Sequence, residues 1–240
     1  MEGAAERIAG SGPEPEVLDR TVGATGGELA LRRVDGHFEI ISNGVFLMDT
    51  RDGASEREMV RACLAALPEA CGGSGVRVVI GGLGVGFSAR RALDDPRVER
   101  VHVVELEPAV VEWHRGPLGA AAGDVLADPR CAVVCADFAV WLAEAAHAAE
   151  GPWADVICLD TDNGPDWTVV EGNDRLYAPD ALARLRRLLR PGGALAFWSA
   201  MPAPGFAALL EREFGTVATV EVPARAGGPD IVYVVRVPAA

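Results

Sequence analysis

Hydrophobic residues in the central part of the chain form short runs, and the segments between these runs carry apolar residues at helical spacing. The runs predict strands at VRVVIG, RVHVVEL, CAVVCA, ADVICLD and GALAFWS. The segments between them predict helices at SARRAL, PAVVEWHR, AVWLAEAAHAA and PDALARLRRLLR. Continuous apolar strands that alternate with amphipathic helices are typical of a parallel sheet covered on both faces. Two further strands, TVATVEV and DIVYVVRV, predict an antiparallel hairpin at one edge of this Rossmann-like α/β sheet.

The N-terminal region has a different pattern, in which apolar and polar residues alternate. The segments ELALRRV, HFEIIS and VFLMDT predict short strands. An Asp-Gly pair at 35–36 and an Asn-Gly pair at 43–44 separate them, and both dipeptides favour tight hairpin turns. This part of the chain therefore predicts a small antiparallel β region.

A predicted helix links the hairpins to the larger sheet. The segment SEREMVRACLAALPEA has helical spacing, with Ser55 as the expected N-cap and Glu58 as its partner in a capping box. We therefore predict three regions: a disordered leader at 1–15, a β-hairpin region with its linking helix at 16–72, and a Rossmann-like cofactor-binding and catalytic domain at 73–240.

Composition excludes several classes of function. The formal net charge of −13 argues against a nucleic-acid partner, which normally requires a basic surface. The apolar runs are well below the roughly 18 to 20 residues that span a bilayer, so we expect no membrane partner. The N-terminus does not have the pattern of a secretory signal, and the five cysteines are odd in number and scattered. These features favour reduced thiols and a cytoplasmic location.

A glycine-rich turn follows the first strand of the predicted parallel sheet. Ligands of open α/β sheets bind beyond the carboxyl ends of the strands, so this turn is a candidate binding element. Its sequence, GGLGVGFS, places Gly82, Gly84 and Gly86 in a G-x-G-x-G pattern. Glycine allows a tight turn and a close approach of a ligand, although a turn without any ligand has the same pattern. The spacing differs from the G-x-G-x-x-G of dinucleotide sites, which disfavours an NAD-linked oxidoreductase.

The next two strand ends carry carboxylates. The second strand ends at Glu105 and Leu106, and an acidic residue roughly 20 positions past the glycines suits a ribose diol. The third strand is followed by Asp137 and Phe138, which suit an adenine amino group and the face of its ring. Asp137 is also a candidate N-cap of the following helix, and the two roles are compatible. Together with the glycine turn, these residues predict a nucleoside site.

The fourth strand ends in VICLDTDNGPDW and should face the reactive end of that nucleoside site. Asp160 and Asn163 are candidate catalytic residues there, together with Tyr177 from a later segment, whereas Asp162 is expected to serve the turn. Three aromatic residues come from segments expected near the same face, and they predict either a wall of the acceptor pocket or ordinary core packing: Trp167, Tyr177 and Trp198.

This order of motifs resembles the class I S-adenosylmethionine-dependent transferases and, more narrowly, the spermidine synthase (aminopropyltransferase) family. The resemblance extends from about Leu31 to Ala200 and rests on IGGLGVGFSARRAL, VVELEP, CADF, LDTDNGP, the LY of NDRLYAPDAL, and LRPGGALAFWS. It implies a class I methyltransferase sheet that binds S-adenosylmethionine or its decarboxylated form, with no metal.

The chain departs from the spermidine synthase pattern at several positions. Gly84 stands where the family has an aspartate that holds the amino end of the cosubstrate, and Leu47 stands where a glutamine is expected. Asp160 matches the first carboxylate of the family's D-x-x-D motif, but Asn163 stands at the second. The family's Tyr-His-Glu is Glu-Arg-Glu at 56–58. A polycationic amine needs several anions and must lose a proton before it attacks, so these departures argue against an amine acceptor.

On these grounds the sequence predicts an S-adenosylmethionine-dependent methyltransferase that acts on a small molecule. Methyl transfer can be accelerated mainly by alignment and exclusion of water. Asp160 would then bind the cofactor's amino group or the acceptor, Asn163 would orient the acceptor, and Glu56 would lie in its pocket. The alternatives are a polyamine aminopropyltransferase that uses decarboxylated S-adenosylmethionine, and a non-catalytic nucleoside-binding module. The exposed edge of the N-terminal hairpins would suit a homodimer, and His114 is expected at the surface.

Overall fold

The computed structural model describes residues 14–68, 73–161, 163–168, 172–225 and 227–239. Residues 1–13 of the predicted leader lie outside these ranges, and so does Asp162, whose expected role in the turn is therefore not addressed. The contacts within the chain divide it into two compact units, with the division between Arg51 and Asp52.

The first unit is a four-stranded antiparallel sheet whose strands are paired in chain order. Its strands are β1 (Glu16–Val22), β2 (Glu28–Val34), β3 (His37–Ser42) and β4 (Val45–Asp49). The hairpin turns predicted from the Asp-Gly and Asn-Gly pairs are confirmed. In each of them both residues have a positive φ, of 52° and 77° in the first turn and of 50° and 77° in the second. The small antiparallel N-terminal region is thus present, with β1 as an additional strand.

The second unit contains a seven-stranded sheet in the order β10-β11-β9-β8-β5-β6-β7. Its strands are β5 (Val76–Gly81), β6 (Val98–Glu105), β7 (Cys131–Cys135), β8 (Ala154–Leu159), β9 (Leu189–Ser199), β10 (Val217–Val222) and β11 (Asp230–Arg236). Strands β5 to β9 are parallel, and β10 and β11 add an antiparallel hairpin at one edge. The predicted fold class is confirmed. Strand β5 lies between β6 and β8, so the strand order reverses at its carboxyl end.

Six α-helices accompany these strands in the described ranges. They are α1 (Ala54–Ala65), α2 (Phe87–Leu93), α3 (Pro108–Arg115), α4 (Phe138–Ala148), α5 (Pro179–Leu188) and α6 (Pro204–Phe214). Helix α1 packs against β8, β9 and β11, so its contacts are with the larger unit, whereas the sequence-based division grouped it with the hairpins. Among the residues that the structure describes, no helix has the length and apolar character needed to cross a membrane.

The start of helix α1 differs from the predicted capping box. The helix begins at Ala54 after Gly53, and no side chain caps it from the N-cap position. The carboxylate of Asp52 instead accepts hydrogen bonds from the backbone N–H groups of Gly53 (2.7 Å) and Ala54 (2.9 Å). The capping prediction for Ser55 is therefore wrong, because Ser55 lies inside the first turn, and Glu58 pairs with an arginine three residues further on. This shift leaves the Ser55 hydroxyl free for other contacts.

Candidate active site

The glycine turn after β5 has no room for a larger residue at two of its three glycine positions. Gly82, Gly84 and Gly86 all have positive φ, of 92°, 51° and 90°. A Cβ atom at Gly82 would lie 2.1 Å from the backbone oxygen of Asp160, and one at Gly86 would lie 2.8 Å from the His114 ring. The turn is therefore packed directly against the end of β8, where the predicted catalytic residues begin.

Glu105, the last residue of β6, is buried and holds the glycine turn in place. One carboxylate oxygen accepts the N–H of Leu83 at 2.6 Å, and the other accepts the N–H of Glu107 at 2.8 Å. Burial raises the pKa of Glu105, and these backbone donors oppose the rise. Each carboxylate oxygen has a second lone pair, so a ribose hydroxyl can still be accommodated. The ribose role of Glu105 stays a prediction, as does the cofactor contact of the half-buried Leu106.

Asp137 and Phe138 form the start of helix α4. Asp137 is the N-cap, and its carboxylate accepts hydrogen bonds from the N–H groups of Ala139 (2.8 Å) and Val140 (3.1 Å). Its other oxygen pairs with Arg175 at 2.5 Å. The capping interpretation of Asp137 is thus confirmed, and its contact with adenine stays a prediction. Phe138 is buried in the core, and its contact with the adenine ring stays a prediction.

Asp160 directly follows β8, and the carboxyl group of Glu56 from helix α1 lies close to it. Asp160 is half-buried, its N–H donates to the Gly81 carbonyl at 2.9 Å, and the Ser88 hydroxyl lies 3.5 Å from its carboxylate. Burial, followed by the nearby carboxylate of Glu56, raises the pKa of Asp160 to about 8. Burial also raises the pKa of Glu56. Among the described residues no arginine forms an ion pair with either of them, so both carboxyl groups are available to a cationic ligand, which would favour their ionised form.

Arg57 is the arginine of the Glu-Arg-Glu segment that was expected to disfavour an amine, and it contacts an aromatic ring. Its guanidinium lies over the ring of Phe87, with 4.1 Å between the guanidinium carbon and the ring centroid. A cation over an aromatic face is a favourable arrangement and needs no carboxylate partner. The positive charge of Arg57 therefore does not form an ion pair with Glu56, its neighbour in the sequence.

The remaining candidates do not form the expected wall as a group. Tyr177 is buried in an aromatic cluster with Phe197 and Phe206, so its core interpretation is favoured over the pocket. Trp167 is 52% exposed. Trp198 is half-buried, and its indole N–H has no hydrogen-bond partner in the described structure. Asn163 is tied to the end of β9, because its carbonyl accepts the N–H of Ala200 at 2.9 Å.

Two residues of the site were missed by the sequence. His114 is buried, which corrects its expected surface position, and its Nε2 lies 2.9 Å from the Gly84 carbonyl that it supports. Asp230 begins β11, and its charge adds to the repulsion that raises the pKa values of Glu56 and Asp160. Neither residue belongs to a recognisable motif, and only the folded sheet places them beside the glycine turn and β8.

Metal ligation is a separate question from these carboxylates. In the described part of the chain, no three His, Cys, Asp or Glu side chains are grouped as the ligands of a metal ion would be.

Comparison with known proteins identifies the family. The sequence model of the spermine/spermidine synthase domain matches residues 57–201, which is more than half of the chain. The chain belongs to the spermine/spermidine synthase family. The polyamine aminopropyltransferase of Mycobacterium tuberculosis (strain H37Rv) is 36% identical over 125 residues, which are 52% of this chain and 23% of that protein. The polyamine aminopropyltransferase 1 of Hyperthermus butylicus is 29% identical over 171 residues, 66% of this chain and 53% of that protein. The chain thus spans about a quarter to a half of the length of these relatives.

Solved structures of spermidine synthases share the fold. A spermidine synthase in complex with the transition-state analogue AdoDATO has a TM-score of 0.72 at 18% identity, covering 92% of this chain and 73% of that one. Spermidine synthase from Thermotoga maritima has a TM-score of 0.70 at 17% identity, covering 92% and 72%. The resemblance found in the sequence motifs is therefore confirmed for the fold and for the family.

The main functional prediction from the sequence is corrected by these findings. A small-molecule methyltransferase is wrong, because the matching family is that of the spermine/spermidine synthases and the matching curated relatives are polyamine aminopropyltransferases. The departures at Gly84 and Asn163 indicate a loss of negative charge from the site. Glu56 and Asp160 keep two carboxyl groups there, and a bound cation would favour the ionised form of both.

Proposed function

We propose that this spermine/spermidine synthase family member transfers the aminopropyl group of decarboxylated S-adenosylmethionine to an amine acceptor. The observation that carries the proposal is the pair Asp160 and Glu56, half-buried beside the glycine turn and without a basic partner in the described residues. Two carboxyl groups of this kind give up their protons when an ammonium group binds, because the nearby positive charge favours their ionised form. The relatives named polyamine aminopropyltransferases support the same reaction.

The charge of the site also favours the decarboxylated cosubstrate. S-adenosylmethionine carries a carboxylate next to its amino group, and its decarboxylated form carries only the ammonium and the sulfonium. A carboxylate brought close to Asp160 and Glu56 would be repelled, whereas an ammonium would be attracted. Gly82 and Gly84 give the nucleoside access to the turn, and Glu105 retains acceptor capacity for its ribose.

The residues then have defined tasks in the transfer step. When bound, the cosubstrate supplies a propyl carbon activated by the sulfonium. The acceptor nitrogen forms a bond to that carbon, the carbon–sulfur bond breaks, and its electron pair leaves on sulfur as a neutral thioether. The proton lost by the acceptor goes to the carboxylate of Asp160. Because burial and the neighbouring Glu56 raise the pKa of Asp160 to about 8, this carboxylate is a stronger base than an ordinary aspartate.

The test is a transfer assay with decarboxylated S-adenosylmethionine and a series of linear amines, in which methylthioadenosine and the extended amine are quantified by mass spectrometry. Asp160→Asn is expected to lower kcat by at least about 100-fold, the usual contribution of a general base. Its affinity for methylthioadenosine, measured by calorimetry, should change little.

The control variant is Asp166→Asn, which removes an exposed carboxylate from the loop that follows Asp160. It should retain the wild-type kcat. Failure of the wild-type chain to extend any amine would overturn the proposed function, and full activity in Asp160→Asn would overturn the role of that residue.

A further inference from the structure

Asp230 lies at the carboxyl edge of the parallel strands although it comes from the last strand of the sheet. Strand β11 runs antiparallel to β9, and Ile231 is paired with Ser199, the last residue of β9. The beginning of β11 is therefore beside the end of β9. In sheets of this kind the carboxyl edge is the side on which ligands bind.

The loop that follows β8 is held at the same place. The N–H of Ala200 donates to the Asn163 carbonyl at 2.9 Å. Gly164 lies so close to β9 that a Cβ atom there would be 2.3 Å from the Ser199 hydroxyl oxygen. The backbone of Asn163 and the start of β11 therefore flank the same end of β9. Asn163 is the position at which the family's second D-x-x-D carboxylate is missing.

Helix α1 packs against both β9 and β11, and Ser55 in its first turn lies close to the Asp230 carboxylate. Ser55 is buried there, and its hydroxyl lies 3.1 Å from the Glu56 carboxylate. Burial raises the pKa of Asp230, and the side chains of Ser55 and Trp198 oppose the rise because they lie close to its carboxylate. The charge of Asp230 in turn contributes to the raised pKa values of Glu56 and Asp160, so the three carboxylates occupy one neighbourhood.

A second feature of this neighbourhood indicates that its polar groups are not fully satisfied. The Nε1 atom of Trp198 is buried without a hydrogen-bond partner, although it lies near Asp230. An ammonium ion has no lone pair and cannot accept from this donor, whereas the nearby Asp230 carboxylate can, and the indole N–H favours its ionised form. Within the described residues no arginine forms an ion pair with Asp230, so its charge is available to a cation.

We propose that Asp230 supplies the second anionic group of the acceptor site and so replaces the family's second D-x-x-D carboxylate, which is Asn163 in this chain. In this role Asp230 determines specificity for an acceptor with two ammonium groups. Asp160 would face the nitrogen that attacks, and Asp230 with Glu56 would hold the distal ammonium. This inference rests on the proposed aminopropyl transfer, and it assigns a residue outside the family's recognised motif to the acceptor site.

The test compares 1,4-diaminobutane with butylamine, which lacks the distal ammonium, in the wild-type chain and in Asp230→Asn. The variant keeps the size of the side chain and removes its charge. We expect its KM for the diamine to rise at least about tenfold, with no comparable change for the monoamine. The affinity for methylthioadenosine should not change. Glu221→Gln, an exposed site on the neighbouring strand β10, is the matched control and should leave both KM values unchanged.

A double variant that restores the charge distinguishes the loss of the Asp230 carboxylate from a general disruption of the fold. Asn163→Asp combined with Asp230→Asn returns one carboxylate to the site at the family's own position, and it should recover the preference for the diamine. No recovery would overturn the claim that Asp230 replaces that carboxylate. An unchanged diamine KM in Asp230→Asn, or an equal rise for both amines, would overturn its role in specificity. If the wild-type chain transfers the aminopropyl group, the proposed function holds, and the outcomes above then test only the role of Asp230.

Discussion

The ionisation of Asp160 should make the free energy of unfolding depend on pH, and the substitution Asp160→Asn should abolish this contribution. Its pKa is raised from the usual 3.8 to about 8, first by burial and then by the carboxylate of Glu56. The folded chain therefore holds a proton there that the unfolded chain releases above about pH 4. This bound proton stabilises the folded chain. Its contribution is fully present below the pKa that Asp160 has in the unfolded chain, and it is lost as the pH rises towards the pKa in the folded chain. An asparagine cannot ionise, so the variant does not lose this stability.

The size of the effect follows from the width of this pH range. One proton held by the folded state changes the free energy of unfolding by about 1.4 kcal/mol per pH unit. Between pH 5 and pH 7 the wild-type chain should therefore lose about 3 kcal/mol relative to Asp160→Asn. Water reaches the half-buried carboxylate and reduces this value, so we expect about 1 to 3 kcal/mol. Glu56 acts in the same direction, because its repulsion also disappears in the variant.

The assay is denaturation by urea at pH 5, 6 and 7 and at constant ionic strength, with Asp166→Asn as the control for net charge. The wild-type chain and the control should show stability curves that fall together with rising pH, while the curve of Asp160→Asn lies above them by an increasing margin. Parallel curves for all three proteins would show that Asp160 titrates as an ordinary aspartate. In that case its assignment as a strengthened base would also be wrong.

Two further predictions concern the glycine turn and the residue that holds it. Glu105→Gln should weaken methylthioadenosine binding at least about tenfold in a calorimetric titration, because the amide cannot accept at both positions; unchanged affinity would remove the ribose role. Gly82→Ala should lower the free energy of unfolding by more than about 3 kcal/mol, since its Cβ would lie 2.1 Å from the backbone oxygen of Asp160. Gly215→Ala, at a similar positive φ of 91° with open space around it, is the control, and an equal loss in both variants would contradict the steric argument.

The parallel sheet could be predicted from sequence because each of its strands is a buried apolar run next to an amphipathic helix. Strand β8, for example, is buried along its whole length, and its boundaries follow from residue type alone. Strand β1 was missed because most of its side chains are exposed and it is paired on one side only. Helix α6 was missed because its start follows a segment rich in proline. Pro204 nevertheless occupies the first turn of that helix, where proline is tolerated.

The charge of the site could not be predicted in the same way, because it depends on which carboxylates lack a partner. Asp155 and Asp160 both belong to the β8 segment and look alike in the sequence. Asp155 accepts the N–H of Arg77 at 2.9 Å and lies 3.2 Å from Arg190, whereas no arginine pairs with Asp160 in the described structure. The paired carboxylate offers little to an ammonium ion, whereas the charge of the unpaired one is not neutralised by an arginine when an ammonium ion binds and ionises it.

The motif residues therefore indicate the family correctly, but they do not define the charge of the site. A motif records which residue stands at a position, whereas an ammonium ion responds to the summed field of all charges near it. Glu56 comes from α1 and Asp230 from β11, and both contribute to the field at Asp160. A carboxylate lost at position 163 can thus be replaced by one that lies far away in the sequence. Under the proposed aminopropyl transfer, the departures from the D-x-x-D pattern are compatible with an amine acceptor, because carboxyl groups from other elements remain at the site.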